Sequence, residues 1–206
     1  MTDTLCMDHI VVSAETLHVG VEYVQDTLGV QVAPGGKHPA MGTHNALMGL
    51  GEFYLEVIAI DPDAPNPQRN RWFDLDNFKG APRLTNWVAR SNNLAALVEV
   101  GPPNWGTLTD LSRDDLTWTV TIDESGTLPF GGAFPGGIDW GNTAHPSTRL
   151  ADVGCRLRNW SITCPQADAL KDAFNKLPGQ FAAQVKDGPF GLVAEIETPH
   201  GLRVLS

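Results

Sequence analysis

Met7-Asp8-His9-Ile10-Val11-Val12-Ser13 opens the stretch on which the fold turns. Its first six residues read as a β-strand. Immediately afterwards Leu17, Val21, Val24 and Leu28 recur at helical spacing, with Ser13 as the expected N-cap and Gly29 as the stop. A short strand is expected at 30–33. Two apolar runs at 45–50 and 53–60 follow, separated by Gly51 and Glu52 in the manner of a tight hairpin. The first sixty residues therefore read β-α-β-β-β.

Further along the chain the same order recurs. Residues 84–90 read as a strand and 93–100 as a short helix with Leu94, Leu97 and Val98 on one face; strands at 107–112 and 116–122 lead to another at 137–140. A strand at 157–163 precedes a helix carrying Leu170, Ala173, Phe174 and Leu177 at i, i+3, i+4 and i+7, stopped by Pro178 and Gly179. Strands follow near 181–186, 192–197 and 202–205. Leu84-Thr85-Asn86-Trp87 and Leu157-Arg158-Asn159-Trp160 nearly repeat one another, and both align with Met7-Asp8-His9-Ile10. The interval is 77 residues from His9 to Asn86 and 73 from Asn86 to Asn159, the near-constant period that internal duplication leaves. Three units are thus expected, at 1–60, 81–145 and 153–206, with the Pro- and Asn-rich 61–70 as a linker and 131–137 as a glycine-rich loop.

Composition bounds the function. A chain of 206 residues, 42% hydrophobic and 18% charged, suits a packed, soluble protein. A net charge of −10 argues against nucleic acid or an anionic membrane as partner, because either calls for a basic patch that 14 Lys and Arg do not form. Residues 1–7 show no basic-then-apolar pattern, and the longest apolar segment, 46–60, is broken by Gly49, Gly51, Glu52 and Glu56, so a cytoplasmic protein is expected. Cys6, Cys155 and Cys164 are odd in number and lack knuckle spacing, which argues against a disulfide framework or zinc finger.

Alternation places the candidate site. If Ile10 and Val12 pack under the helix, then Met7, His9 and Val11 point to the other face of the sheet. In the strand at 53–60, Leu55, Val57 and Ala59 take the helix side, leaving Tyr54, Glu56 and Ile58 beside His9. An imidazole and a carboxylate meeting on one concave surface suit a divalent metal (Zn, Mn, Ni or Fe(II)) and equally a metal-free acid/base pair. Trp87 and Trp160 have the parity of core residues, whereas Asn86 and Asn159 fall on the open face.

At this point the chain resembles a known family. The first strand, the segment Gly35-Gly36-Lys37-His38-Pro39-Ala40-Met41-Gly42-Thr43-His44-Asn45 and Tyr54-Leu55-Glu56-Val57-Ile58 look like the opening of glyoxalase-like domain proteins of the vicinal oxygen chelate superfamily. The similarity continues through Pro82-Arg83-Leu84, Ile138-Asp139-Trp140-Gly141 and His145-Pro146. The resemblance implies an α+β fold of repeated βαβββ modules, forming a cup-shaped, partly open mixed β-sheet with helices outside. In the family's metalloenzymes the first and last strands of each module supply metal ligands, which carries over to His9 and Glu56 in the first. In the other modules Asn86 and Asn159, poor ligands, stand in the first-strand positions, with Asp139, Glu195 and His145 as substitutes. No four-ligand set is complete.

Glu56 and His145 are the candidate catalytic residues. His38, Asn45 and Trp140 are candidates for substrate contact at the mouth of the cup, where Trp140 either stacks on an organic ligand or plugs the site. Two functions follow. One is a metal-dependent lyase, isomerase or dioxygenase acting on a small oxygenated molecule. The other is a metal-free protein that sequesters a small ligand, as bleomycin-resistance proteins do. No nucleotide cofactor is expected. An odd number of modules raises the expectation of a homodimer covering the unpaired one.

Overall fold

A computed structural model describes residues 4–179 and 183–206. Within them lie twelve strands and three α-helices in a mixed α+β arrangement. The first unit runs β1 (Cys6–Ser13), α1 (Leu17–Leu28), β2 (Ala33–His38), β3 (Thr43–Gly49) and β4 (Tyr54–Ile60). The second runs β5 (Arg83–Arg90), α2 (Leu94–Val100), β6 (Thr107–Arg113), β7 (Leu116–Ile122) and β8 (Gly136–Asp139). The chain closes with β9 (Arg156–Cys164), α3 (Ala167–Asn175), β10 (Ala183–Asp187), β11 (Gly191–Thr198) and β12 (Gly201–Leu205). The start of the strand expected from Phe181 lies outside the described residues.

The first two units share one eight-stranded sheet in the order β2-β3-β4-β1-β5-β8-β7-β6. In each, the last strand lies parallel to the first, β4 beside β1 and β8 beside β5, and the two units join through the antiparallel pair β1–β5. The sheet curls until its edge strands approach: Arg113 on β6 reaches across to His38 and Asn45 on the far side. The third unit keeps the element order but arranges its strands as β10-β9-β11-β12. There the last strand folds back on its predecessor through a tight turn in which the Thr198 hydroxyl accepts from the His200 N–H and donates to the Gly201 carbonyl. It does not return to the first strand as β4 and β8 do.

Two sequence expectations shift locally. Ser13 does not cap α1; its hydroxyl bonds Thr85 at 2.7 Å, and Thr16 caps the helix by accepting from the Val19 N–H. The stop at Gly29 holds, with φ 70° and its N–H on the Gln25 carbonyl. The short strand expected at 30–33 forms later, as edge strand β2 over Ala33–His38, and takes in Gly35 and Gly36. A Cβ at Gly35 would run into Asn45, so glycine is what lets β2 close on β3. The irregular pairing between Pro34 and Lys37 is of the kind that edge strands tolerate.

Two apolar clusters follow from the alternation. Ile10, Val12, Leu55 and Val57 pack with Val24 and Leu28 of α1, in a cluster that extends through Trp87 and Trp160 to Ile162 and Leu170 of the third unit. Trp87 and Trp160, the repeated tryptophans, meet edge to face at 6.2 Å. The second cluster lines the inside of the cup: Val11, Ile58, Val88, Trp118, Val120 and Ile138 converge with Trp72, Leu75 and Phe78. No described helix is long and apolar enough to cross a membrane.

Candidate active site

The cup encloses about 730 Å³, mouth included, between polar strands β2–β4 and β1 on one side and an aromatic and aliphatic wall on the other. His9, Glu56, Asn45 and His38 form the polar side. Trp72, Phe73, Trp118 and Trp140 stand opposite with Val88, Leu116, Val120 and Ile138. The parity argument accounts for the polar side, because His9, Asn45 and Glu56 sit at alternating positions that β3, β4 and β1 turn to the same face.

His9 is the hub. Its Nδ1 lies 2.6 Å from Asp8 Oδ1 and its Nε2 3.5 Å from Glu56 Oε2, with only 5% of the residue exposed. Burial alone would push its pKa down. The hydrogen bonds and charges of the two carboxylates win, raising it to about 9, so the ring is an imidazolium at neutral pH. Burial likewise works against the ionised form of Glu56, but its bond to His9 holds the carboxyl below the ordinary range. The second Glu56 oxygen accepts from Asn45 Nδ2 at 2.5 Å, and Asn45 Oδ1 in turn accepts from the Gly36 N–H at 2.8 Å. Tyr54 stacks on the His9 ring at 4.4 Å.

Asp8, which the sequence reading left unassigned, is the anchor of the site. It is fully buried. One oxygen accepts from His9; the other accepts from Trp140 Nε1 and from His145 Nε2, each at 2.9 Å. His145 Nε2 also faces the Arg90 guanidinium at 3.1 Å, and its Nδ1 lies 2.7 Å from the Ser147 hydroxyl. Burial disfavours the Asp8 carboxylate, yet the bonds from His145 and His9 keep it ionised well below the usual range. Strict alternation would turn Asp8 away from His9. A register shift in the β1–β5 ladder between Met7 and His9 makes Asp8 the extra residue of a β-bulge, and so lets neighbouring side chains meet.

His38 is charged differently. Burial, reinforced by the Arg113 guanidinium, pushes its pKa down to about 4 against the opposing pull of Glu56, and the neutral ring accepts from Arg113 at 3.1 Å. Its Nδ1 then donates to Thr43 Oγ1, also at 3.1 Å. Of the six candidates read from the sequence, His9, Glu56, His38, Asn45 and Trp140 line one cup, and His145 stands behind them on Asp8. Asp139 and Glu195 do not join: Asp139 caps the turn at Gly141, and Glu195 pairs with Asn159 on the other sheet. Asn86 is buried to 1%, with Nδ2 lacking an acceptor, in a separate chamber beyond Phe73.

Trp72, Phe73, Arg113 and Trp118 were also missed. The segment at 61–70 reads as a linker, and it delivers Trp72 and Phe73 to the cup; Phe73 is held at φ 60°. The indole Nε1 of Trp72 is buried without an acceptor in that wall.

The donor set fits a divalent ion poorly. Among the described residues no group of three His, Cys, Asp or Glu side chains is arranged to hold one. Both nitrogens of His9 face carboxylates, so an ion at Nε2 would have to displace its contact with Glu56.

A cup formed by two βαβββ units across one mixed sheet, with a histidine and a glutamate on its concave face, defines a protein of the vicinal oxygen chelate class. The chain belongs to the glyoxalase-like domain family, whose model matches residues 7–177. No curated protein matches the sequence. Among solved structures, a hypothetical protein from Staphylococcus aureus is similar at 14% identity, over 89% of this chain and 86% of that one, with a TM-score of 0.61. Methylmalonyl-CoA epimerase from Mycobacterium tuberculosis aligns at 16% identity over 68% of this chain and 91% of that one, with a TM-score of 0.45.

Proposed function

We propose that the chain is an enzyme of proton transfer, an isomerase or lyase acting on a small, largely apolar molecule at a carbon next to a carbonyl. The observation that carries this reading is the ionised Glu56 carboxylate at the polar side of an aromatic cup, 3.5 Å from a buried imidazolium. Glu56 takes the proton from carbon and returns it. The positive charge of His9 offsets the negative charge that develops on the substrate. Asn45 fixes the carboxylate, and the unpaired Trp72 N–H and the Arg113 guanidinium are donors for substrate oxygen. Asp8, His145 and Trp140 hold His9 in place.

The apolar wall supports a second reading, a cup that sequesters a planar ligand without turning it over. The metal-dependent form of the enzyme would use His9 and Glu56 with Zn, Mn, Ni or Fe(II), and would have to recruit its remaining ligands from substrate and water. One experiment separates the three. Small enolisable ketones, hydroxyketones and β-keto acids are incubated with the protein in D2O, with and without each metal, and proton NMR follows loss of the C–H signal alongside thermal stabilisation.

Exchange that needs no metal and is lost in Glu56→Gln is the expected result. Stabilisation without exchange would favour the sequestering cup, and exchange only after metal loading would overturn the proton-transfer account as stated.

A further inference from the structure

Three side chains belong to two cavities at once. Phe73, Thr127 and Leu128 line the cup and also a second chamber of about 740 Å³, mouth included, whose other walls include Phe78, Asn86 and Phe190. Gly136 of β8 locates the partition: a Cβ built there would stand 3.8 Å from Leu128 Cδ2 and 3.9 Å from Phe73 Cε1. The Phe73 ring is partly exposed, and it stacks on the buried indole of Trp72 at 5.5 Å with 17° between the planes.

The backbone that carries this ring is unusual. Phe73 has φ 60° and Asp74 φ 54°, a left-handed conformation that phenylalanine seldom adopts and that glycine adopts freely. The chain on both sides is pinned. Arg71 is 8% exposed, and its guanidinium binds Asp76 at 2.5 Å and Asn66 at 3.0 Å. The Asp74 N–H bonds the Gly126 carbonyl at 2.9 Å, and a Cβ on Gly126 would collide with the Arg71 carbonyl, so that loop closes directly onto the segment. A position whose backbone favours glycine therefore carries a large ring, and what the ring adds there is a barrier between two cavities.

We propose that Phe73 is a specificity-determining residue that ends the cup against the second chamber, so that the cup takes compact carbonyl compounds and refuses apolar tails that would have to pass the ring. The inference rests on the reading that the cup binds a small apolar molecule. It does not depend on the chemistry that Glu56 performs.

The test is a homologous series, acetophenone, butyrophenone and hexanophenone, whose binding to the full chain is measured by equilibrium dialysis. Each methylene that enters an apolar cavity tightens binding about fourfold. In the wild type that gain should stop early, leaving hexanophenone less than about tenfold tighter than acetophenone. Phe73→Gly removes the ring and suits the left-handed backbone; Phe73→Asn, a residue type that this conformation also tolerates, shortens the side chain. In both variants the preference for hexanophenone over acetophenone should rise at least about tenfold over the wild type, and acetophenone should displace hexanophenone because the two share the cup.

A wild-type preference that already climbs about fourfold per methylene, or one that neither variant changes, would overturn Phe73 as the limit and leave the cup reading intact. Hexanophenone that acetophenone does not displace would place it outside the cup, with the same consequence. If none of the three ketones bound the wild type or the variants, the cup reading and the role of Phe73 would fall together.

Discussion

Replacing Asp8 by alanine is expected to cost roughly 3–5 kcal/mol of unfolding free energy, the range for removing one partner from a buried charged network. The carboxylate accepts three hydrogen bonds, from His9, His145 and Trp140, and of these donors His9 is buried while His145 and Trp140 are partly exposed. Loss of the anion leaves a buried imidazolium with Glu56 as its remaining counter-charge. Asp8→Asn should be nearly as damaging despite its shape, because its amide N–H2 must face an N–H donor on one side or the other. Asp115→Ala serves as the contrast: its partner Arg149 and the aspartate itself are solvated, and the change should be small. Urea unfolding of the three variants at pH 6.5 decides the matter. If Asp8→Ala and Asp115→Ala cost the same, Asp8 is not the anchor described here.

Stability is expected to peak near pH 6.5 and to fall on both sides of it, for two reasons that reside in two histidines. His38 has a folded-state pKa of about 4 and an ordinary value near 6.5. Between those values the unfolded chain binds more protons, so stability rises with pH. His9 has a folded-state pKa of about 9. Between 6.5 and 9 the folded chain binds more protons, so stability falls as pH rises. Each displacement corresponds to roughly 3 kcal/mol across its window. Below pH 4, loss of the Asp8 and Glu56 carboxylates steepens the decline, because both are held below their ordinary range. Urea unfolding at pH 4.5, 6.5 and 9 should trace this dome. His9→Gln should remove the alkaline limb and His38→Gln the acid one. A profile flat from 6.5 to 9 in the wild type would remove the imidazolium, and with it the charge that the proposed chemistry relies on.

Much of the polar side of the cup was legible from the chain. His9, Asn45 and Glu56 belong to strands whose alternation can be read within seven or eight residues, and the apolar positions between them pack under α1 as the pattern requires. Trp140 and His145 stood out because an aromatic residue and a histidine follow a run of glycines. The aromatic wall was not legible in the same way. Trp118 alternates with Leu116 and Val120 as any buried strand would, and only the curl of the sheet makes that face the inside of a cup rather than a plain core. Trp72 and Phe73 follow a Pro- and Asn-rich run that reads as linker, and a left-handed backbone at Phe73 has no signature in a phenylalanine.

By itself the sequence determined the order of strands and helices, the helix stop at Gly29 and the face on which His9 and Glu56 meet. Those features depend on backbone preferences and side-chain periodicity over one element, and so they are written locally. The tertiary structure alone decided that Asp8 joins His9, since the bulge that turns it arises where β1 must match β5 about eighty residues away. It alone decided that the third unit arranges its strands in another order, because which edge a strand takes is settled by packing and turn geometry rather than by its own pattern. The closeness of Arg113 to His38, and the chamber beyond Phe73, come from the same source: surfaces brought together by long-range pairing, whose chemistry no single stretch of chain contains.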